Sequence, residues 1–223
     1  MISRMRGVFI RMLIALIVFI YVGYVAWQQL PSFDFWVVML FFIVYSVWSV
    51  VAETLIYKDP EAYVIEDQDK RSYLYLQLSF LVALFYAAID FVELHYTRLF
   101  FLEPYVIYIG FILFIISCFI RWRGFESIDK YFNPRVAVYE NHRLMTEGAY
   151  KNIRHPLYLG SAVGFFAIPM VFNSWGGLLI ILLATVPALV YRIRIEEEFM
   201  LKHFGDEYAQ YMKRTKKMIP GIW

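Results

Sequence analysis

Six long apolar runs, separated by charged breaks, constrain this chain more than any other feature of its sequence. A bilayer core of about 30 Å is crossed by about 20 helical apolar residues, so runs of this length predict membrane-spanning helices. Composition agrees, because 61% of the 223 residues are hydrophobic and 20% are aromatic, which is too apolar for a soluble domain. The predicted spans are residues 7–27, 33–56, 73–94, 101–120, 157–173 and 175–191.

The expected fold class is therefore all-α: a polytopic integral membrane protein with about five to six transmembrane helices and a cytoplasmic C-terminal helix. The first run is too long for a signal peptide and lacks a cleavage pattern, so it is expected to remain as an anchor. Only residues 173–177, Asn-Ser-Trp-Gly-Gly, separate the last two runs, which predicts a tight helical hairpin that need not cross the whole bilayer. The single cysteine, Cys118, excludes a disulfide framework.

The distribution of Lys and Arg predicts the orientation, because cytoplasmic loops retain positive charge. When six spans are threaded, Arg98 is the only one of the 21 basic residues that falls on the opposite side. Both termini are therefore expected in the cytoplasm. The net charge of +2 hides this asymmetry, and the basic face favours contact with anionic membrane lipids rather than nucleic acid.

Polar chemistry is concentrated in the C-terminal part of the chain. Residues 1–120 form a predicted four-helix transmembrane region, whereas residues 121–223 form a predicted catalytic region. In the latter, two polar segments bracket the hairpin 157–191. A hairpin returns its two ends to the same side, so the sequence Arg-His-Pro at its entry and the sequence Arg-Ile-Arg-Ile-Glu-Glu-Glu at its exit are expected to be neighbours.

The entry to the hairpin has the pattern of a helix start. Pro156 suits the first turn of a helix, and His155 before it is pushed towards an extended conformation. The N–H groups of Leu157 and Tyr158 would then point out of a helix N-terminus, which favours an anionic or electron-rich ligand group. The alternative is an interfacial belt, in which Arg154 extends to the headgroups and the aromatic residues sit at headgroup depth.

The exit from the hairpin places charge directly after an apolar span. Arg192 and Glu196 are four residues apart and share one helical face, and charge at such a position is costly and often functional. Residues 192–215 are expected to form an amphipathic helix along the membrane surface. Its predicted apolar stripe consists of Met200, Phe204, Tyr208, Tyr211 and Met212. The alternative for the glutamates is a solvated face with ordinary salt bridges.

Other charged residues carry weaker signals. Glu53, Asp90 and Glu93 lie near predicted span ends, where interfacial capping is favoured over a proton path. His95 and His203 have no companion ligands at metal spacing, so no metal site is predicted. Neither a glycine-rich nucleotide motif nor a convincing strand is visible.

Taken together, four spaced motifs resemble the isoprenylcysteine carboxyl methyltransferase family. They are His142-x-Leu144-x-Thr146-x-Gly148-x-Tyr150, Arg154-His155-Pro156-x-Tyr158-x-Gly160, Arg192-x-x-x-Glu196-Glu197 and Phe204-Gly205-x-Glu207-Tyr208-x-x-Tyr211. The likeness covers about residues 132–222, and it extends more loosely to phospholipid N-methyltransferases and sterol reductases.

The resemblance implies an integral membrane methyltransferase that uses S-adenosyl-L-methionine in a cytoplasm-facing pocket. The implied cofactor-binding residues are His142, Arg143, Leu144, Met145, Tyr150, His155, Pro156, Leu157, Tyr158 and Glu196. The implied catalytic residues are Arg192, which would hold the acceptor, Arg154 and Glu197.

The resemblance leaves the acceptor open among a prenylated cysteine carboxylate, another lipid-linked carboxylate and a phosphatidylethanolamine amine. An ionised carboxylate needs no general base, whereas an amine would need one from Glu196, Glu197 or His155. A nicotinamide-dependent reductase of the sterol-reductase type and a non-catalytic membrane protein remain as alternatives.

Overall fold

The computed structural model describes residues 20–21, 23–52, 64–67, 70–128, 137–139, 143–219, 221 and 223. The long helices are α1 (Ser32–Val51), α2 (Ser72–Ile89), α3 (Tyr105–Ile128), α4 (Pro156–Val171) and α5 (Trp175–Phe204), followed by the short α6 (Asp206–Arg214). A π-helical turn, Asp90–Leu94, extends α2, and a second one, Ile181–Thr185, lies within α5. Short 3-10 turns occupy Phe100–Leu102 and Gly148–Tyr150.

The helices have the surface of a protein that lies in lipid. Among the described residues, α1, α2 with its π turn, α3 and α5 are long and apolar enough to cross a membrane, and α4 is a shorter apolar helix. Large apolar side chains point outwards from them, such as Phe119 on α3 and Leu183 on α5. Outside a bilayer these side chains would face water, so the predicted class of multi-pass, all-α membrane protein is confirmed.

Several predicted boundaries were wrong. Helix α3 begins at Tyr105 rather than at residue 101 and continues to Ile128. Helix α5 runs through residue 192 without a break, because no glycine or proline interrupts it there, and it ends only before Gly205 with φ of +53°. The expected separate helix 192–215 is therefore the last part of α5 plus α6. Most of the predicted span 7–27 lies outside the described residues, and residues 23–29 are helical.

A small sheet that the sequence did not predict lies between the helices in chain order. Strand β1 (Val64–Asp67) pairs antiparallel with β2 (Ala137–Tyr139), with Glu66 opposite Val138. It joins the loop before α2 to the segment before α4. The expectation of no convincing strand was wrong for these seven residues, because both strands are too short to show a period of two.

The hairpin reaches the loop that joins α2 to α3. The Asp90 carboxylate accepts hydrogen bonds from the N–H groups of Tyr96 and Thr97, at 2.9 and 3.1 Å, and from the Ser174 hydroxyl at 2.9 Å. Asp90 therefore caps this loop and anchors the hairpin turn, as the capping prediction requires for this residue. The turn of the hairpin therefore lies against the loop that joins α2 to α3.

Arg98 is buried in the same loop rather than solvated at the membrane surface. Its guanidinium lies 2.8 Å from Asp34 of α1 and 2.6 Å from Glu103. Burial opposes ionisation of Glu103, but hydrogen bonds from Arg98 and Asn173 outweigh it and hold the pKa of that carboxyl below 4.5. This cluster ties α1, the loop and the hairpin turn together at the end of the molecule opposite the candidate site.

Glycines allow α3 and α4 to pack closely. A side chain at Gly164 would meet the Ser117 hydroxyl at 2.7 Å, and one at Gly160 would meet Arg121 Cγ at 2.5 Å. Ser117 also donates a hydrogen bond of 2.8 Å to the Gly160 carbonyl. Gly160 of the Arg-His-Pro motif is thus required by helix packing, and the close approach places α3 beside the start of α4.

Candidate active site

A cavity of about 290 Å³ lies where the two ends of the hairpin meet. Helices α2, α3, α4 and α5 form its walls, together with the segment before α4 and residues of α6. The lining residues are Tyr73, Leu76, Gln77, Phe80, Arg121, Phe125, Ile128, Leu144, Met145, Tyr150, Arg154, His155, Leu157, Tyr158, Ser161, Phe165, Arg192, Glu196, Met200, Tyr208 and Tyr211. The predicted neighbourhood of the entry and exit motifs is confirmed.

The turn before α4 is held by the C-terminal segment of the chain. His155, with φ of −127° and ψ of 60°, precedes Pro156 at the first turn, so the predicted helix start is confirmed. The backbone N–H groups of Arg154 and His155 donate to the carbonyls of Lys216 and Lys217 at 2.8 and 2.9 Å. This pairing fixes the orientation of the His155 ring and of the first turn of α4 beside the cavity.

Arg192, Tyr158 and Glu196 form one hydrogen-bonded chain along the cavity wall. Arg192 is only 2% exposed, and its Nε donates to the Tyr158 hydroxyl at 2.8 Å. The Tyr158 hydroxyl in turn donates to Glu196. Arg192 also donates through Nη1 to Ser72 of α2 at 2.8 Å, and its guanidinium lies 5.8 Å from the Tyr73 ring. A buried cation, a phenol and a carboxylate are therefore aligned along this wall.

Glu197 organises a second, buried cluster behind this chain. It accepts from Arg154 Nε at 2.8 Å, lies 3.3 Å from His155 Nε2, and pairs with Lys217 at 3.1 Å. Arg154 Nη1 also donates to the Thr215 carbonyl at 2.6 Å. The cluster connects α5 to the turn before α4 and to the C-terminal segment. It therefore positions His155 between two carboxylates, with Nδ1 3.7 Å from the other glutamate, Glu196.

Tyrosines from α6 close one side of the cavity. Tyr208 and Tyr211 are each 2% exposed, and the Tyr211 hydroxyl donates to the Tyr150 carbonyl at 2.6 Å. Burial raises the pKa of Tyr211 to about 12, so its phenol stays a hydrogen-bond donor at neutral pH. The apolar stripe predicted to lie on the membrane surface was wrong at these positions, because Tyr208 and Tyr211 pack inwards and Met200 lines the cavity.

The structure brings most of the predicted site residues onto this cavity. Those on its lining are Leu144, Met145, Tyr150, Arg154, His155, Leu157, Tyr158, Arg192 and Glu196. Pro156 and Glu197 are buried but are not among the lining residues, Arg143 is exposed, and His142 lies outside the described residues. The roles assigned to all of these residues stay predictions.

The sequence analysis did not predict that residues of α2 and α3 contribute to the candidate site. Residues 1–120 were expected to hold little polar chemistry, yet Ser72, Tyr73 and Gln77 of α2 lie at or near the Arg192 side chain or on the lining. Arg121 of α3 was also missed. The available signal was a polar or charged side chain inside an apolar span, which is a functional candidate by default.

Most of the cavity residues lie in a part of the chain that is similar in sequence to known methyltransferases. Residues 105–207 match the family model described as phospholipid methyltransferase. A segment of 78 residues is 41% identical to methanethiol S-methyltransferase 1 of Bradyrhizobium diazoefficiens, covering 35% of this chain and 26% of that protein. A segment of 83 residues is 32% identical to protein-S-isoprenylcysteine O-methyltransferase of Schizosaccharomyces pombe, covering 37% of this chain and 35% of the relative. The predicted family resemblance is confirmed.

The likeness extends over the whole fold. The solved structure of the eukaryotic intramembrane Ras methyltransferase, isoprenylcysteine carboxyl methyltransferase, superposes with a TM-score of 0.55. The superposition covers 98% of this chain and 86% of that one at 19% identity, so it carries the fold and not the chemistry. The chain spans about a quarter to a third of the length of the two curated relatives above.

Proposed function

We propose that this protein is an integral membrane methyltransferase that uses S-adenosyl-L-methionine to methylate the carboxylate of an isoprenylcysteine or a similar lipophilic acceptor. The observation that carries the proposal is the hydrogen-bonded chain of Arg192, Tyr158 and Glu196 on one wall of the cavity, and all three residues lie within the family-matched range 105–207. In this proposal the reaction takes place at the cytoplasmic face, and the support is the excess of Lys and Arg in the loops at this end of the helices.

The residues around the cavity suit such a cofactor. S-adenosyl-L-methionine supplies an electrophilic methyl group on a sulfonium cation when it is bound. The carboxylate of Glu196 could interact with the positive charge of the cofactor. The rings of Tyr150, Tyr158 and Tyr208 present electron-rich faces that could do the same. The volume of about 290 Å³ lies near the lower end of the range of about 300–1,000 Å³ that is usual for small-molecule sites.

Arg192 is suited to orient an acceptor carboxylate. A guanidinium donates two parallel hydrogen bonds to a carboxylate, and the bonds to Tyr158 and Ser72 fix the plane in which Arg192 lies. The carboxylate is already ionised at neutral pH, so this chain needs to supply position and exclusion of water rather than a base. The burial of Arg192 provides that dry setting.

A phospholipid amine is the second candidate acceptor, and the description of the matched family favours it. An amine must lose a proton, and Glu196 is the candidate base because its carboxylate lines the cavity. The two ring nitrogens of His155 already face carboxylates, at 3.7 Å from Glu196 and 3.3 Å from Glu197.

The deciding experiment is incubation of the purified protein in nanodiscs with methyl-labelled S-adenosyl-L-methionine and a membrane lipid extract. A carboxyl methyl ester releases labelled methanol in alkali, whereas an N-methyl or S-methyl product keeps its label. Release of methanol supports the carboxylate acceptor. An alkali-stable labelled lipid supports the amine, and binding of neither S-adenosyl-L-methionine nor NADPH by calorimetry refutes the enzyme proposal.

Two substitutions test the division of roles. We expect Glu196→Ala to abolish cofactor binding, and Arg192→Ala to spare cofactor binding while turnover is lost. Glu198→Ala is the matched control, because Glu198 is exposed and lies only 3.8 Å from Lys70 in a surface pair. Loss of cofactor binding in the Arg192 variant alone would overturn the assignment.

A further inference from the structure

Residues 215–219 and Trp223, which we call the C-terminal clamp, pair with the turn before α4. Two clamp carbonyls accept backbone hydrogen bonds from this turn, as described above, and the Lys216 N–H donates to the Asn152 carbonyl at 3.2 Å. The pairing is parallel, with Ile153 opposite Lys216. The described clamp residues are not among those that line the cavity, so the clamp holds the Arg-His-Pro motif from behind.

The clamp also packs against α5, which carries the opposite wall of the site. Met218 is buried in an apolar cluster with Leu189 and Ile193 of α5, and Trp223 packs against the same cluster. The Trp223 carbonyl accepts from the Met218 N–H at 2.9 Å, which folds this segment back onto itself. Burial of apolar side chains therefore anchors the clamp on α5, whatever its charged residues do.

Lys217 is the clamp residue whose charge reaches the buried cluster around Glu197. Its Nζ lies 3.1 Å from Glu197 Oε2, and the two side chains are 26% and 7% exposed. The other carboxylate oxygen, Oε1, accepts from Arg154 Nε at 2.8 Å and lies 3.3 Å from His155 Nε2. Cations on both oxygens fix the plane of this carboxylate, and with it the oxygen that faces the His155 ring.

The Trp223 ring holds the charge of Lys217 in place. Lys217 Nζ lies 5.5 Å from the centroid of this ring, within the distance at which an aromatic face attracts a cation. A lysine side chain is long and flexible, so this second contact restricts where its ammonium group can lie. Lys216 takes part in the same backbone pairing, but its side chain is exposed. The two lysines therefore have the same backbone setting and different side-chain surroundings.

We propose that Lys217 is a positioning residue of the candidate active site, which acts through Glu197 to fix the His155 ring on the wall that binds the cofactor. The proposal rests on the function proposed above, and it adds a residue that lies outside the cavity lining. Arg192 is held separately, through its Nε and Nη1. Lys217 therefore acts on cofactor binding and leaves acceptor binding unchanged.

The test is calorimetric binding of S-adenosyl-L-methionine to the full chain in nanodiscs. Lys217→Met removes the charge and keeps an unbranched side chain. We expect it to raise the cofactor Kd about three- to tenfold, because water reaches this partly exposed pair and replaces part of the interaction. Lys217→Arg keeps a cation and should bind within about twofold of wild type. The acceptor KM should stay the same in both variants.

Lys216→Met is the matched control, because it removes the neighbouring exposed charge and keeps the backbone pairing. An unchanged cofactor Kd in Lys217→Met would overturn the proposal, and so would an equal rise in Lys216→Met or a rise that Lys217→Arg does not reverse. If Lys217→Met is poorly folded, Trp223→Leu decides, since it keeps an apolar side chain and removes the ring beside Lys217. Its cofactor Kd should rise about two- to threefold, and no rise would refute the positioning role.

Amide hydrogen exchange separates this proposal from the proposed function. The N–H groups of Arg154 and His155 bond to the clamp, so their protection reports on the turn without cofactor or turnover. We expect these two amides to exchange faster in Lys217→Met than in wild type, and at the wild-type rate in Lys216→Met. If the wild-type protein binds no S-adenosyl-L-methionine, the proposed function fails, and faster exchange in Lys217→Met still supports the positioning of the turn. Unchanged exchange would overturn it.

Discussion

Replacing Tyr158 by Phe is the sharpest test of the candidate site. The substitution keeps the ring on the cavity wall, including its stacking on His155 at a centroid distance of 5.5 Å. It removes only the hydroxyl that accepts from Arg192 and donates to Glu196. The cavity and the helix packing should stay as they are, so any loss of activity reports on the hydrogen-bonded chain.

The size of the effect follows from the burial of Arg192. With 2% exposure, its Nε–H has no access to water that could replace the lost acceptor. A hydrogen bond to a charged group contributes about 1.5–3 kcal/mol, and each 1.4 kcal/mol is about tenfold in rate or affinity. We therefore expect kcat/KM for the acceptor to fall roughly 10- to 150-fold in Tyr158→Phe.

The assay compares methyl transfer with calorimetric binding of S-adenosyl-L-methionine in the same nanodisc preparation. Tyr191→Phe is the matched control, because Tyr191 precedes Arg192 on α5 but is exposed and is not among the lining residues of the cavity. The control should keep its activity within about twofold. Equal activity of Tyr158→Phe and wild type would refute the reasoning, because the chain would then have no part in catalysis.

Three further predictions concern stability, each measured as a melting temperature in detergent. Gly160→Ala should destabilise by about 1–3 kcal/mol, since a methyl group would lie 2.5 Å from a side-chain carbon of α3; an unchanged melting temperature would contradict the close packing. Glu197→Gln should cost about 3–5 kcal/mol because it removes the charge that balances the buried Arg154 guanidinium, and a stable variant would argue against this cluster as an anchor. Hydrogen bonds from Arg98 and Asn173 hold the pKa of Glu103 below the ordinary 4.5, so its contribution to stability is full above about pH 4.5 and is lost as the pH falls through the lowered pKa; the fall in melting temperature between about pH 5 and about pH 2 should be smaller in Glu103→Gln.

Features that depend only on the local sequence were predicted correctly. The apolar runs gave the class of fold, and Pro156 gave the start of α4, because both depend on local composition and backbone restriction. The prediction of a separate helix that begins at residue 192 was wrong. A change from apolar to charged residues does not end a helix when no glycine or proline interrupts it. Helix α5 ends only before Gly205, whose φ of +53° stops the helix.

The candidate site was predictable only in part, because its members come from distant parts of the chain. The hairpin argument correctly placed Tyr158 near Arg192, since a hairpin must return its ends to one side. Nothing local indicated that Ser72 would bond to Arg192 across 120 positions of sequence, or that Arg121 would lie on the cavity lining. Such neighbours depend on how α2 and α3 are rotated about their axes. Apolar residues surround both helices almost evenly, so the sequence does not indicate which side faces the rest of the protein.

By itself, the sequence determined that this protein lies in a membrane, that its polar chemistry surrounds a C-terminal hairpin, and which family it resembles. Those properties follow from hydropathy and motif spacing, which each segment carries alone. Only the tertiary structure decided that Glu197 and Arg154 form a buried anchor, while Tyr158 connects Arg192 to Glu196 on the cavity. The physical reason is that two adjacent glutamates point about 100° apart on a helix, and packing against α4 decides which of them faces the cavity.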